Sequence, residues 1–80
     1  MCRVKIELRG PLARHAPPDC REGRIILETP YGFTVRDVLN LIGIPEESVG
    51  LVLINGQKSR LSTCPAGGDT ITFFPPVAGG

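Results

Sequence analysis

The chain has 80 residues, about half the length of a common domain, so it has room for a single core and excludes a two-domain enzyme. Hydrophobic residues make up 41% of the chain and charged residues 21%, proportions that exclude the disordered and fibrous classes. The formal net charge of +1 provides no electrostatic footprint for nucleic acid or for an acidic membrane surface.

The first segment alternates as a strand with one buried face does. Apolar residues occupy the even positions from Cys2 to Leu8, and charged residues occupy the odd positions between them. Gly10-Pro11 ends this strand, and the stretch to residue 23 has no sustained period, which predicts an ordered loop or a short turn-rich crossing. A short β-branched run over residues 24–28 predicts a second strand, which we expect to pair with the first as a hairpin.

A helix is predicted to begin after Thr34. The Thr34 hydroxyl can accept from the backbone N–H of Asp37, and the Asp37 carboxylate can reach back in a variant of the capping box. Gly43 predicts the end of the helix, with Ile44 placed for the hydrophobic contact of a Schellman cap. One apolar stripe, which predicts packing on one face of a sheet, is formed by Val35, Val38, Leu39 and Ile42.

The next run, residues 51–54, is apolar at every position, which predicts an interior strand and makes it the best candidate for a central strand. Asn55-Gly56 follows directly, and both centres of a type I′ turn need positive φ. This dipeptide therefore predicts a hairpin in which residues 57–61 pair back. A turn over residues 65–69 leads to a β-branched and aromatic strand over residues 70–74.

The order of two strands, one helix and two or three strands predicts an α+β fold with a single core. If the first and last strands are parallel neighbours in the middle, the fold is a β-grasp, the ubiquitin-like roll. Its mixed sheet of four to five strands would carry one main helix on one face. An all-antiparallel sheet with a helix at one end stays open from the pattern alone. We expect the domain to span residues 1–76 and residues 77–80 to form a flexible tail.

Residues with catalytic potential are sparse. The three cysteines, Cys2, Cys20 and Cys64, are an odd and widely spaced set, which is not typical of a disulfide framework. A zinc site that adds His15 has no Cys-x-x-Cys pair to support it, so we expect His15 to be a solvated loop residue. Gly67-Gly68-Asp69 leads into a strand, which favours a hairpin turn over a phosphate cradle. We therefore expect no metal site and no bound cofactor.

The chain start alternates charged and apolar residues, unlike a signal peptide, and the longest apolar run is residues 51–54. These patterns predict a cytoplasmic protein.

The last residues are the strongest candidate for a functional segment. Gly79-Gly80 follows closely on a predicted strand, and two residues without side chains let a carboxylate approach another protein's active site. A frayed terminus is the alternative. Alternation places Phe74 on the face opposite the core residue Phe73, where we expect it to be exposed. An apolar segment that predicts docking to a partner is formed by Phe74, Pro75, Pro76, Val77 and Ala78.

With these residues the sequence resembles the MoaD/ThiS sulfur carriers, most closely the small subunits of molybdopterin synthases. The resemblance covers nearly the whole chain and is most specific at residues 51–56 (LVLING), 68–71 (GDTI) and 73–80 (FFPPVAGG). It implies a β-grasp fold and adenylation of Gly80 by a ubiquitin-activating-type, MoeB/ThiF-like adenylyltransferase that uses ATP. It further implies a thiocarboxylate at Gly80, whose sulfur passes to a precursor of the molybdopterin dithiolene inside a larger partner subunit.

Three alternatives remain beside this function. The sulfur could serve another pathway, such as thiamine synthesis. The chain could be a ubiquitin-like modifier that forms amides with lysines, which would differ in its product. It could also be a β-grasp binding module that never uses its terminus, although the weak charge and the few aromatic residues disfavour RNA as its ligand.

Overall fold

The computed structural model describes residues 1–15, except for the side chain of His15, and residues 23–76. In these ranges the elements are β1 (Cys2–Leu8), a first 3-10 helix (Gly10–His15), β2 (Arg24–Thr29), α1 (Val35–Ile42), a second 3-10 helix (Glu46–Ser48), β3 (Leu51–Ile54), β4 (Gln57–Ser59) and β5 (Thr70–Phe74). The predicted strands and the helix lie where expected, with β2 one residue longer. Residues 10–15 form a 3-10 helix where a turn-rich crossing was predicted, and β4 ends at residue 59 rather than 61.

The five strands of the described residues form one sheet in the order β2-β1-β5-β3-β4. β1 and β5 are parallel, whereas the other neighbouring pairs are antiparallel. The predicted β-grasp topology is therefore confirmed, and the all-antiparallel alternative is wrong. The prediction that residues 51–54 form an interior strand is confirmed, because β3 lies between β5 and the short β4.

The central position belongs to β5, and its burial explains why. Ile71, Thr72 and Phe73 are buried in succession, so β5 is covered on both faces, whereas Val52 is the one fully buried residue of β3. Thr72 is covered on the helix-free face, where its hydroxyl donates to Glu7 Oε1 at 3.2 Å. Because Thr72 is polar, the sequence of β5 did not indicate that this strand is buried on both faces.

The hydrophobic core lies between α1 and one face of the sheet. Val35, Val38 and Leu39 of the predicted stripe are fully buried, and Ile42 is half-buried. The first 3-10 helix contributes Leu12, at 3% exposure. No sequence pattern predicted a core residue at this position. The sheet contributes to the core Val4, Ile6, Leu8, Ile25, Val52, Ile71 and Phe73.

Both ends of α1 have the predicted caps. The Asp37 N–H donates to Thr34 Oγ1 at 3.1 Å, and the Thr34 N–H donates to Asp37 Oδ2 at 3.0 Å. At the other end Gly43 has φ 91°, and the Ile44 N–H donates to the Leu39 carbonyl at 3.0 Å. The capping box alone contributes about 1 kcal/mol to stability. α1 has eight residues, and no helix in the described parts of the chain is long and apolar enough to cross a bilayer.

The hairpin between β3 and β4 has the predicted turn. Asn55 has φ 52° and Gly56 has φ 82°, the two positive values that a type I′ turn requires. The turn pairs Ile54 with Gln57 and so sets the register of β4.

Candidate functional site

The end of β5 is held by the chain on both sides. Leu8 of β1 pairs with Phe73, and Leu51 of β3 pairs with Phe74. Just beyond these pairs, the Arg9 N–H donates to the Phe73 carbonyl at 3.0 Å, and the Gly50 N–H donates to the Phe74 carbonyl at 2.8 Å. The strand is therefore anchored as far as its last residue.

Pro75 and Pro76 end this strand. Neither has an N–H to extend the ladder, so the chain leaves the sheet here. Pro75 is half-buried and Pro76 is exposed. The predicted site residues Val77, Ala78, Gly79 and Gly80 lie outside the described residues, so their roles stay predictions.

Phe74 is less exposed than the sequence predicted. It is half-buried, because Leu51 lies directly opposite it on the neighbouring strand. Phe74 and Leu51 line an open recess of about 380 Å³ together with Gly50, Pro75 and Pro76. The aromatic ring is thus one wall of an apolar recess at the base of the tail, and the expectation of a fully exposed ring is wrong.

A second open recess, of about 410 Å³, shares Pro75 and Pro76. Its remaining walls come from the two 3-10 helices and are Pro11, Leu12, Arg14, Glu47 and Ser48. Glu46 and Glu47 lie in the second 3-10 helix, where both are exposed. A partner that encloses the tail at Pro75-Pro76 would therefore also meet the two 3-10 helices.

The start of β5 is fastened by a different set of contacts, which we call the Asn55–Asp69 network. Asn55 Nδ2 donates to Asp69 Oδ1 at 2.9 Å, and the Thr70 N–H donates to Asn55 Oδ1 at 3.0 Å. Asp69 Oδ2 accepts from the Ala66 N–H at 2.8 Å, and Gly68 has φ 89°. The segment Gly67-Gly68-Asp69 is thus a turn, with the Asp69 carboxylate directed inward at the turn backbone. The expectation of a hairpin turn is wrong, because β3 lies between β4 and β5 in the sheet.

The helix-free face of the sheet carries both charged and apolar side chains. Glu7 lies 3.5 Å from both Arg9 and Arg24, and Thr72 donates to the same carboxylate. Ile26, 64% exposed, lies on this face opposite Lys5. These side chains form two ion pairs and one hydrogen bond on a surface that mixes charged and apolar groups.

The two cysteines that the structure describes lie in different surroundings. Cys2 is buried on the core face of β1, and Cys64 is exposed, with Sγ 3.5 Å from the Gly32 carbonyl oxygen. Cys20 and the side chain of His15 lie outside the described residues. Within residues 1–15 and 23–76, no group of three or more His, Cys, Asp or Glu side chains could hold a metal ion.

Comparison with known proteins places this geometry in a family. The family model of the Mut7-C ubiquitin domain matches residues 1–78. SAMP1 from Haloferax volcanii is 27% identical, with a TM-score of 0.72, and the alignment covers 98% of this chain and 99% of that one. No curated protein sequence matches the chain.

Two molybdopterin-related structures share the fold. The putative molybdopterin converting factor subunit 1 from Pyrococcus furiosus is 23% identical, with a TM-score of 0.76 over 96% of this chain and 100% of that one. The complex of subunits 1 and 2 of the molybdopterin-converting factor from Helicobacter pylori 26695 includes a chain that is 20% identical, with a TM-score of 0.62 over 98% and 99% of the two chains. The sequence-based resemblance is thus confirmed at the level of the ubiquitin-like family and its β-grasp fold. The chain belongs to the Mut7-C ubiquitin family.

Proposed function

We propose that the chain is a sulfur carrier whose Gly80 carboxylate is adenylated and then converted to a thiocarboxylate. The observation that carries this proposal is the anchored end of β5, where Pro75-Pro76 ends a strand that is hydrogen-bonded on both sides. A rigid base with a slender end delivers a carboxylate without contributing catalytic groups of its own. The FFPPVAGG sequence of residues 73–80 supports the same function through its resemblance to the MoaD/ThiS carriers.

The chemistry needs activation because a carboxylate is a poor electrophile. Attack of a Gly80 carboxylate oxygen on the α-phosphate of ATP forms an acyl adenylate and releases pyrophosphate. A hydrosulfide-level sulfur donor then attacks the carbonyl carbon, forming the C–S bond as the C–O bond to AMP breaks. No electrons are gained or lost in these two steps, and the partner enzyme supplies the ATP site.

The chain's own residues serve binding. Phe74, Pro75 and Pro76 line the apolar recess, and a partner that fills it would bury the half-exposed ring. Val77 and Ala78 would continue this contact into the partner's active site, where Gly79 and Gly80 let the backbone approach the reacting phosphate closely. In this role the protein is a co-substrate of its partners and not an enzyme.

Two partners follow from this function. A ubiquitin-activating-type, MoeB/ThiF-like adenylyltransferase would activate Gly80. A larger synthase-like subunit would accept the sulfur and place it in the dithiolene of molybdopterin. The second partner is supported by the Helicobacter pylori structure, in which a chain of the same fold is part of a complex of subunits 1 and 2 of a molybdopterin-converting factor.

A protein modifier is the second candidate, and its support is the 27% identity with SAMP1, which is a small archaeal modifier protein. Both functions share adenylation of the terminal glycine and differ in the nucleophile that follows. A lysine amine would give an amide to another protein, whereas hydrosulfide gives a free thiocarboxylate. The product therefore separates the two functions.

The test is the intact mass of the protein purified from its own cells, with and without its adenylyltransferase. We expect a species in which one sulfur replaces one oxygen, present only with the adenylyltransferase. Deletion of Gly80, or extension of the chain beyond it, should abolish this species while the melting temperature stays unchanged. A ladder of covalent conjugates without the sulfur species would support the modifier. An unmodified mass in the presence of an active adenylyltransferase would contradict both functions.

A further inference from the structure

Gly50 lies against Pro75 and Pro76, which form the base of the tail. A Cβ added at position 50 would be 2.5 Å from the Pro76 Cα, 2.9 Å from the Pro75 carbonyl oxygen and 2.9 Å from the Pro76 nitrogen. All three atoms belong to the backbone, so none can rotate away as the end of a flexible side chain can. The backbone of Pro75-Pro76 therefore occupies the space that any side chain at position 50 would need.

The conformation of Gly50 does not itself require glycine. Positive φ, which favours glycine, is found at Gly10, Gly23, Gly32, Gly43, Gly56 and Gly68. Gly50 is not among them, and neither is Gly67, where an added Cβ would meet nothing within 4 Å. The close approach of the tail is thus the reason for glycine at position 50.

Both sides of this contact are fixed by the fold. The Leu51–Phe74 pair of the β3–β5 ladder sets the segments containing Gly50 and Pro75 beside each other. The proline rings fix φ at positions 75 and 76. Bending this segment away from Gly50 would therefore cost free energy. On the flank of β1, Gly10 also faces the tail, since a Cβ there would lie 3.4 Å from the Pro75 Cγ. The base of the tail is thus held between two glycines.

We propose that Gly50 is a positioning residue that sets the direction in which the residues after Pro76 leave the fold. This inference rests on the proposed function, since a carrier needs its terminus to reach a partner's active site in one orientation. A methyl group at position 50 would push the base of the tail outward by about 1 Å to restore ordinary contact at 3.4 Å or more. A misplacement of that size away from the reacting atoms can lower a rate by about a hundredfold.

The test compares Gly50→Ala with the matched control Gly67→Ala, because both glycines have ordinary φ and only Gly50 contacts the tail. Each full-length variant is mixed with ATP and the cognate adenylyltransferase, and pyrophosphate release is measured at a temperature where circular dichroism shows both variants fully folded. We expect Gly50→Ala to lower kcat by about tenfold to a hundredfold. Its KM should change less, because Phe74 keeps its place in the sheet. Gly67→Ala should match the wild-type chain.

Each outcome separates this inference from the proposed function. If the wild-type chain is not adenylated, the proposed function fails independently of Gly50. If the wild-type chain is adenylated and folded Gly50→Ala has the same kcat, the positioning role is overturned and the carrier function stands. A lower melting temperature with an unchanged kcat would likewise overturn it.

A measurement on the wild-type chain covers the case in which Gly50→Ala does not fold. Nuclear Overhauser contacts between the Hα protons of Gly50 and Pro76 are expected, because the tail backbone lies directly on Gly50. Their absence would overturn the inference.

Discussion

The two ends of β5 are fastened by different means. At its start, the Asn55–Asp69 network joins two turns through side-chain hydrogen bonds at 2.9 Å and 3.0 Å. At its end, the fastening consists of backbone hydrogen bonds from Arg9 and Gly50, and two glycines face the tail. The start of β5 is therefore held by particular side chains, whereas the end of β5 requires that Gly10 and Gly50 have none.

This difference predicts that one end of β5 serves the stability of the fold and that the other end serves presentation of the tail to a partner. Side chains at the start of β5 hold turns together, so their loss should lower the free energy of unfolding. In the proposed function, residues at the end of β5 direct the tail and bind the partner, so their replacement should act mainly on partner binding and rate. Variants at the two ends test whether this separation is real.

The largest effect is expected at the end of the strand. Phe74→Ala should weaken binding to the adenylyltransferase or the larger subunit by more than about tenfold, because truncating an aromatic hot spot costs about 2 kcal/mol or more. The half-buried ring should contribute far less to stability than fully buried Phe73, whose truncation would cost about 3–5 kcal/mol. Isothermal titration calorimetry measures the binding, and thermal unfolding measures the stability.

Tyr31→Ala is the matched control for Phe74→Ala. Tyr31 is an aromatic residue with 77% exposure that follows β2, at the end of the sheet where Cys2 pairs with Thr29. Binding by Tyr31→Ala should equal that of the wild-type chain. A Phe74→Ala variant that lost several kilocalories of stability and bound normally when folded would show that the ring belongs to a second small core.

A smaller effect, on stability, is expected at the start of the strand. Asn55→Gly keeps the positive φ of the turn and removes the two side-chain hydrogen bonds that Asn55 makes in the network. We expect a loss of about 1–2 kcal/mol in the free energy of unfolding, measured by urea denaturation, with kcat for adenylation unchanged. Lys58→Ala, an exposed position in the same hairpin, should change stability by less than about 0.5 kcal/mol. Loss of activity in fully folded Asn55→Gly would break the separation between the two ends.

The smallest effect is expected at Cys64, which lies in the sequence between the Asn55-Gly56 turn and the turn over residues 65–69. Cys64→Ser should alter stability by less than about 0.5 kcal/mol, because the thiol is exposed and its contact with the Gly32 carbonyl is long. Sulfur transfer should proceed at the wild-type rate in a coupled assay, because the proposed thiocarboxylate forms at Gly80. Loss of transfer at unchanged stability would require a persulfide or thioester on Cys64.

Local patterns in the sequence predicted the elements of the fold well. The alternation over Cys2 to Leu8, the capping box at Thr34 and the Asn55-Gly56 turn each involve residues within a few positions of one another, and all three were confirmed. Such signals arise from the geometry of a single element. They therefore survive without knowledge of the neighbouring strands.

Contacts between distant segments account for what the sequence did not predict. Thr72 can be buried because Glu7, 65 residues earlier, accepts a hydrogen bond from its hydroxyl. Phe74 is half-buried because Leu51 lies opposite it, and Gly50 is glycine because Pro75-Pro76 crosses it. None of these pairs has a local signature. An apolar residue after Gly10-Pro11 was the one available signal for Leu12 in the core.

The parallel pairing of β1 and β5 also sets the order of events during synthesis. β1 emerges from the ribosome before the other strands of the sheet, yet its inner neighbour is the strand over residues 70–74. The sheet cannot close until that strand is available, because the pairing spans nearly the whole chain and its loop-closure entropy must be offset by contacts made last. A chain that stops short of β5 has no central strand and exposes its hydrophobic residues to proteases and chaperones. Translation must therefore reach the end of β5 before this domain can fold.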